Sequence, residues 1–146
     1  MATTIITNPT VTINSVAITS RVKSVKVTDE ALGKEDTAFG ATYQTMKYGG
    51  ALKKAQIDVT FYQDRGTTVT TGVDILLAPL VGATTVYSVV VLAPGTTLGA
   101  ANPNWTLTQA QIAGPYQGVG GAVGDLEEFT VSFVPGSGGT LTRATS

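Results

Sequence analysis

The chain is 146 residues long, with 42% hydrophobic and 13% charged residues and a net charge of −1, which fits one domain able to bury roughly 68–70% of its unfolded surface. A charged share about half the usual ~25% suits a surface that neighbours cover, because a free monomer leans on charge for solubility, and the balanced charge gives no pull toward nucleic acid or anionic membrane. With 0 cysteines and 0 histidines, disulfides, the usual zinc sites and the Ser-His-Asp and Cys-His nucleophile systems are excluded.

The opening residues MATTIITNPT have neither a basic n-region nor a long apolar h-region, so no signal peptide is expected. Asn8-Pro9 is a turn signal, and residues 1–10 read as a flexible N-terminal arm. Val11 and Ile13 alternate, and the phase slips before Val16 and Ile18, which fits a bulge or turn at Asn14-Ser15. Val25 and Val27 alternate with Ser24, Lys26 and Thr28 as a half-buried strand. Residues 29–40 read as a charged loop. Thr42–Tyr48 and Ala51–Asp64 alternate on either side of Gly49-Gly50, which predicts a hairpin and gives a charged loop/hairpin over 29–50. In the second run Ala55, Ile57, Val59 and Phe61 share one face, and Gln56, Asp58, Thr60 and Tyr62 the other.

Thr71-Gly72-Val73-Asp74 matches a capping box. Val73, Leu76, Leu77 and Leu80 keep helical spacing. Pro79 should end or kink that helix, and Gly82 should cap it, giving two to three turns over about 72–81. Thr84–Ala93 is apolar on both faces and reads as a central strand. A Gly/Pro/Asn loop leads to an alternating Trp105–Ile112, and a glycine-rich loop spans Gly114–Gly124. Leu126–Val134 follows, with Phe129, Val131 and Phe133 on one face. Residues 136–146 read as a C-terminal arm. No apolar run approaches the ~20 residues of a membrane helix, so a soluble, cytoplasmically made product is expected. The predicted class is mainly β: an antiparallel β-sandwich or partial barrel with one short flanking α-helix.

Motifs with catalytic potential resolve into ordinary structure. Ser20-Arg21-Val22-Lys23 has the S-x-x-K spacing of serine acyl-enzymes, but on a strand positions three apart face opposite ways. Asp125, Glu127 and Glu128 could form a cation site or half of a carboxylate pair. Without calcium-loop spacing they read as a solvated turn or an acidic lining. Asn104-Trp105-Thr106 is a formal glycosylation sequon with no secretory signal. Trp105 could stack on a sugar, but a lone tryptophan at a strand start reads as core or interface filler. Seven basic residues between Arg21 and Lys54 (with Lys23, Lys26, Lys34, Lys47 and Lys53) could form a DNA strip. Interleaved acids favour ion pairing. The glycines after Gly114 form no phosphate cradle. No catalytic, cofactor or metal residue is expected.

Gly124-Asp125-Leu126-Glu127-Glu128-Phe129-Thr130-Val131-Ser132-Phe133 followed by Leu141-Thr142-Arg143-Ala144 resembles the C-terminus of major tail tube proteins of long, non-contractile-tailed, siphovirus-type bacteriophages. Lys53–Asp64, the Val73–Leu80 helix, the Val-rich strand after it and the Asn102-Pro103-Asn104-Trp105 loop fit the same pattern in order and spacing over roughly residues 22–144. The resemblance implies a virion protein that forms hexameric rings, joined edge to edge into a continuous β-barrel and stacked into a hollow tail tube. It implies tape measure, tail-tip and tail terminator proteins as partners, genomic DNA in transit, assembly in the host bacterial cytoplasm, and neither cofactor nor enzymatic activity. On this reading Asp29, Glu30, Lys34, Glu35, Asp36 and Lys47 are candidates for ring-to-ring contact, and Asp58, Glu128 and Thr130 for the lumen lining. A tail terminator or tail-tip module, or a carbohydrate-binding sandwich, are the alternatives.

Overall fold

The computed structural model describes residues 5, 6, 9–48, 52–93, 95 and 97–146. In chain order the strands are β1 Thr10–Ile13, β2 Val16–Ala17, β3 Val22–Ala31, β4 Lys34–Glu35, β5 Met46–Lys47 and β6 Lys53–Tyr62. The helix α1 (Val73–Leu77) continues into a 3₁₀ turn (Ala78–Leu80), and β7 Tyr87–Leu92, β8 Asn104–Ala113, β9 Glu128–Pro135 and β10 Leu141–Ala144 complete the chain. Eight strands form one hydrogen-bonded sheet in the order β2-β1-β7-β8-β9-β6-β3, with β10 also on β8, while β4 and β5 pair only with each other. Every pairing among the described residues is antiparallel. The architecture is mainly β with one short flanking helix.

The period-2 patterns explain the core. Ile57, Val59 and Phe61 of β6, Val131 and Phe133 of β9, Val89 and Val91 of β7 and Val11 and Ile13 of β1 are buried with Leu107 of β8. Val73, Leu76 and Leu77 of α1 join the same apolar cluster. Each such side chain contributes about 1.5–3 kcal/mol. Phe61 and Phe129 stack at 5.4 Å, and Tyr87 meets Phe133 edge-on at 6.3 Å.

The phase slip after Ile13 is a two-residue turn. Asn14 (φ 49°) and Ser15 (φ 67°) connect β1 to β2, with both central residues left-handed as a type I′ turn requires. The helix buries the face its spacing predicted. Its start differs: Gly72 is the N-cap and no side chain caps it. The Thr71 hydroxyl instead accepts from the Thr68 N–H at 3.2 Å, a local turn that competes with capping.

Three further expectations are corrected. The charged loop from residue 29 begins as strand, because β3 extends to Ala31 with Asp29 opposite Ala55 and Glu30 opposite Lys54. The predicted hairpin partner of β6 is wrong: β6 pairs with β3 and β9, and Met46–Lys47 pairs with Lys34–Glu35. The expected Gly49-Gly50 turn lies outside the described residues. The C-terminal arm contains a strand, β10, on β8 with Leu141 opposite Leu107 and Ala144 opposite Asn104. β9 and β10 follow one another along the same edge of β8, interrupted where Gln109 takes φ 47°. There Gly136 donates to the Gln109 carbonyl at 2.8 Å, and Thr108 donates to the Thr140 carbonyl at 2.9 Å. A Cβ on Gly139 would stand 2.6 Å from the Thr108 carbonyl oxygen, so the crossing needs glycine.

Candidate functional site

The core-facing side of β6 and β9 fixes what their other side presents. Alternation turns Gln56, Asp58, Thr60 and Tyr62 outward from β6, and Glu128, Thr130 and Ser132 outward from β9. The cross-strand rows bond to one another. The Ser132 hydroxyl donates to Asp58 Oδ1 at 2.5 Å, and Gln56 Nε2 donates to the same oxygen at 2.7 Å. Thr60 and Thr130 share a hydroxyl contact of 2.8 Å. Glu128 accepts from Lys23 at 2.7 Å. That hydrogen bond, with the Glu128 charge, holds the exposed Lys23 ammonium above the usual lysine range. The three lumen candidates Asp58, Glu128 and Thr130 therefore share one polar face, which Lys26 of β3 joins opposite Asp58.

The six ring-contact candidates divide. Asp29 and Glu30 belong to β3 and sit in the main sheet, where Asp29 meets Lys53 at 3.5 Å. Lys34, Glu35, Asp36 and Lys47 lie on the small β4–β5 ribbon or beside it, all exposed. Lys34 stands directly opposite Lys47, a like-charge pairing that destabilises a ribbon on its own. This excursion hangs from the ladder through the Leu32 N–H bond to the Leu52 carbonyl at 2.8 Å. Phe39, Tyr43, Met46 and Tyr48 are exposed on it. A sequence reading weighted toward charge missed these three aromatics and the methionine beside them.

β3 ends the sheet, and its 10 residues pair on one side only among the described residues. Its Val22, Val25 and Val27 are half-buried and packed on the core. A long edge of this kind is a template for another strand. At the excursion end of β6 a groove of ≈ 400 Å³ is lined by Asp29, Lys53, Ala55, Pro135, Leu141 and Thr142. It offers an ion pair and aliphatic carbon but no paired nucleophile and base.

At the opposite end of β6 a polar clamp escaped the sequence reading. Arg21 Nε donates to Asp64 at 2.8 Å, and Arg21 Nη2 donates to the Thr71 carbonyl at 3.0 Å. Arg65 Nη2 donates to the Gly118 carbonyl at 2.7 Å and to Glu127 at 2.9 Å. Glu127 also accepts from the Gly120 N–H at 2.9 Å. Tyr116 donates to Asp74 Oδ1 at 2.6 Å. Burial, aided by that carboxylate, pushes the Tyr116 phenol up to about 12. Tyr87 is also pushed up to about 12 by burial, against a weaker opposing pull from the Ile112 backbone, and its buried hydroxyl makes no well-formed hydrogen bond among the described residues.

The remaining motifs take structural places. Arg21 and Lys23 of the S-x-x-K stretch are both in ion pairs, and Ser20 lies in a 3₁₀ turn. The acidic trio separates: Glu127 pairs with Arg65 and Glu128 with Lys23, while Asp125 is exposed. Trp105 packs against the core with Arg143 5.9 Å above its ring. No metal-ligand cluster occurs among the described residues, and no described helix is long and apolar enough to cross a membrane.

No family model and no curated protein matches the chain. Solved structures match its fold. A chain of an extracellular contractile injection system, the PVC sheath/tube terminator in its extended state, aligns with TM-score 0.63 and 10% identity over 98% of this chain and 97% of that one. A chain of the PVC sheath-tube complex aligns with TM-score 0.60 and 12% identity over 95% and 89%. A chain from the tail of an empty gene transfer agent particle, determined with C6 symmetry, aligns with TM-score 0.51 and 11% identity over 84% and 82%.

Proposed function

We propose that this chain is a tail tube subunit of a siphovirus-type phage particle. It assembles as hexameric rings, stacked into a hollow tube that conducts DNA, and its role is structural and not catalytic. The observation that carries this reading is the unpaired 10-residue edge of β3, flanked by an excursion whose large apolar side chains stand in solvent. An isolated monomer would gain nothing from such an edge, and a ring pairs it. Support also comes from the fold shared with a chain of a sheath-tube complex and a chain of a particle tail determined with C6 symmetry.

In this arrangement the polar face of β6 and β9, with Asp58, Glu128 and Thr130, lines the lumen. Asp29, Glu30, Lys34, Glu35, Asp36 and Lys47, with the excursion, bridge rings. Residues 1–10 serve the same contacts as an arm, whereas after Pro135 the Leu141–Ala144 strand stays in the sheet. Tape measure, tail-tip and terminator proteins meet the tube, and DNA passes without sequence readout, in a particle assembled in the bacterial cytoplasm. A terminator role is the second reading, favoured by the likeness to a tube terminator chain.

Negative-stain electron microscopy of purified protein tests both readings. Concentrated subunit, alone or with a tail-tip initiator, is expected to give long hollow tubes with six subunits per ring. Single finite rings favour the terminator, and monomer under every condition overturns assembly altogether.

A further inference from the structure

Two exposed apolar sets stand at opposite ends of β6. Beside its first residue, the excursion presents Phe39, Tyr43 and Tyr48, which are 110%, 79% and 56% exposed. Beyond its last residue, the loop between β8 and β9 presents Val119, Val123 and Leu126, which are 79%, 108% and 76% exposed. The 10 residues of β6 hold the sets apart, about 30 Å at ~3.3 Å per residue. The sets therefore cannot cover each other within one chain.

The loop is held in place. Arg65 grips the Gly118 carbonyl and Glu127, Glu127 grips the Gly120 N–H, and the Gln63 N–H donates to the Glu127 carbonyl at 2.8 Å. These bonds fix the loop's base while its apolar side chains stand outward. Charge adds a local contact, although the excursion as a whole is balanced by Glu35 and Asp36, which have no ion-pair partner among the described residues. Lys34 and Lys47 face one another on the excursion, and neither has an ion-pair partner among the described residues. Asp125, exposed on the loop, also has none.

We infer that residues 118–126 of one copy are the seat on which the excursion of a second copy docks. Val119, Val123 and Leu126 cover its aromatics, and Asp125 faces Lys34 and Lys47. This rests on the stacking reading above and names the surface that receives the excursion. Because the surfaces occupy opposite ends, the contact is head-to-tail. Such a contact is heterologous, and with its two surfaces at opposite ends of the long β6 axis it suits open repetition along that axis.

The chain contains 0 cysteines, so two can be placed without interference. Phe39→Cys with Val123→Cys, assembled and treated with a short bis-maleimide, is expected to give a ladder of covalent oligomers on a denaturing gel. Neither single variant should extend beyond dimer. Intact tubes of the double variant without a ladder overturn the seat and leave stacking in place, whereas a wild-type chain that never forms tubes overturns both. A charge series covers the case in which the cysteine variant does not assemble. Asp125→Lys should slow tube growth at least ~10-fold, and adding Lys34→Glu with Lys47→Glu should restore it. Unchanged growth of Asp125→Lys, or no restoration, overturns the seat.

Discussion

At the scale of single residues, Tyr87 carries a hydroxyl that is poorly matched to its surroundings. It is buried with no well-formed hydrogen bond among the described residues, only a weak pull from the Ile112 backbone, in a ring held edge-on against Phe133. Deleting the oxygen removes a desolvated group and keeps the packing. Tyr87→Phe should therefore be neutral or stabilising by up to ~1 kcal/mol in urea unfolding of the monomer. Tyr87 and Tyr116 also set an alkaline limit. Both phenols are raised to about 12 in the folded chain, while an unfolded tyrosine titrates near ~10. The folded state then holds protons that the unfolded state releases. Their contribution is whole below pH ~10 and is lost as pH rises through ~12. Urea midpoints should be flat to about pH 9.5 and then fall, with a shallower fall in Tyr87→Phe. An identical alkaline fall in the variant would refute the assignment to Tyr87.

At the scale of elements, the excursion between β3 and β6 is where monomer and assembly should differ. Its β4–β5 ribbon spans two residues a side, opposes two lysines and packs on no core. A two-stranded ribbon of this size is marginal in water. Amides of residues 33–48 should exchange quickly in the monomer and slowly in the tube, while those of β3 and β6 stay protected in both. Equal protection of 33–48 in the two states would remove the excursion from the ring contact. This element also marks the limit of what the sequence disclosed. β6, β9 and the helical face were legible because alternation or 3.6-residue spacing is a local property of each segment. The β3–β6 pairing was not, because the true partner lies across the whole excursion, whereas the nearer alternating run offered a shorter closure. The tail read as an arm because its Gly/Ser/Thr composition conceals that Leu141 meets Leu107. Of the candidate site, the polar face of Asp58, Thr130 and Glu128 followed from alternation. The Arg65–Glu127 and Arg21–Asp64 pairs join residues 62 and 43 apart, and no local pattern links such positions. The exposed aromatics were present in the sequence, but only burial distinguishes a docking residue from a core residue.

At the scale of the whole molecule, the proposed assembly would rest on repetition. Each exposed ion pair is worth about 0–1 kcal/mol, so in the proposed ring a single misplaced subunit could leave while a completed ring would persist. The lumen can be tested at the same scale. The Thr60–Thr130 pair is exposed on the face proposed to meet DNA. Replacing both with lysine should leave tube length unchanged and slow DNA passage, most strongly at low salt, because each new phosphate contact adds about 0.9 to the salt exponent. Passage at the wild-type rate at every ionic strength would place that face elsewhere.

The sheet order has a consequence for the timing of synthesis. β1, β2 and β3 are made first and end up at the two flanks, whereas β8 and β9 are made late and fill the middle. A β3–β6 hairpin leaving the ribosome waits for β9, which ends at Pro135, roughly 4–15 s later at ~5–20 residues per second. Pairing this remote in sequence also folds slowly. Until β9 arrives, β6 has a second open side, and nascent chains on one message can pair by the wrong strand. Once β9 has closed that side, only the β3 edge remains open beside β6 among the described residues, so the edge proposed to join subunits is the one that survives completion of the chain.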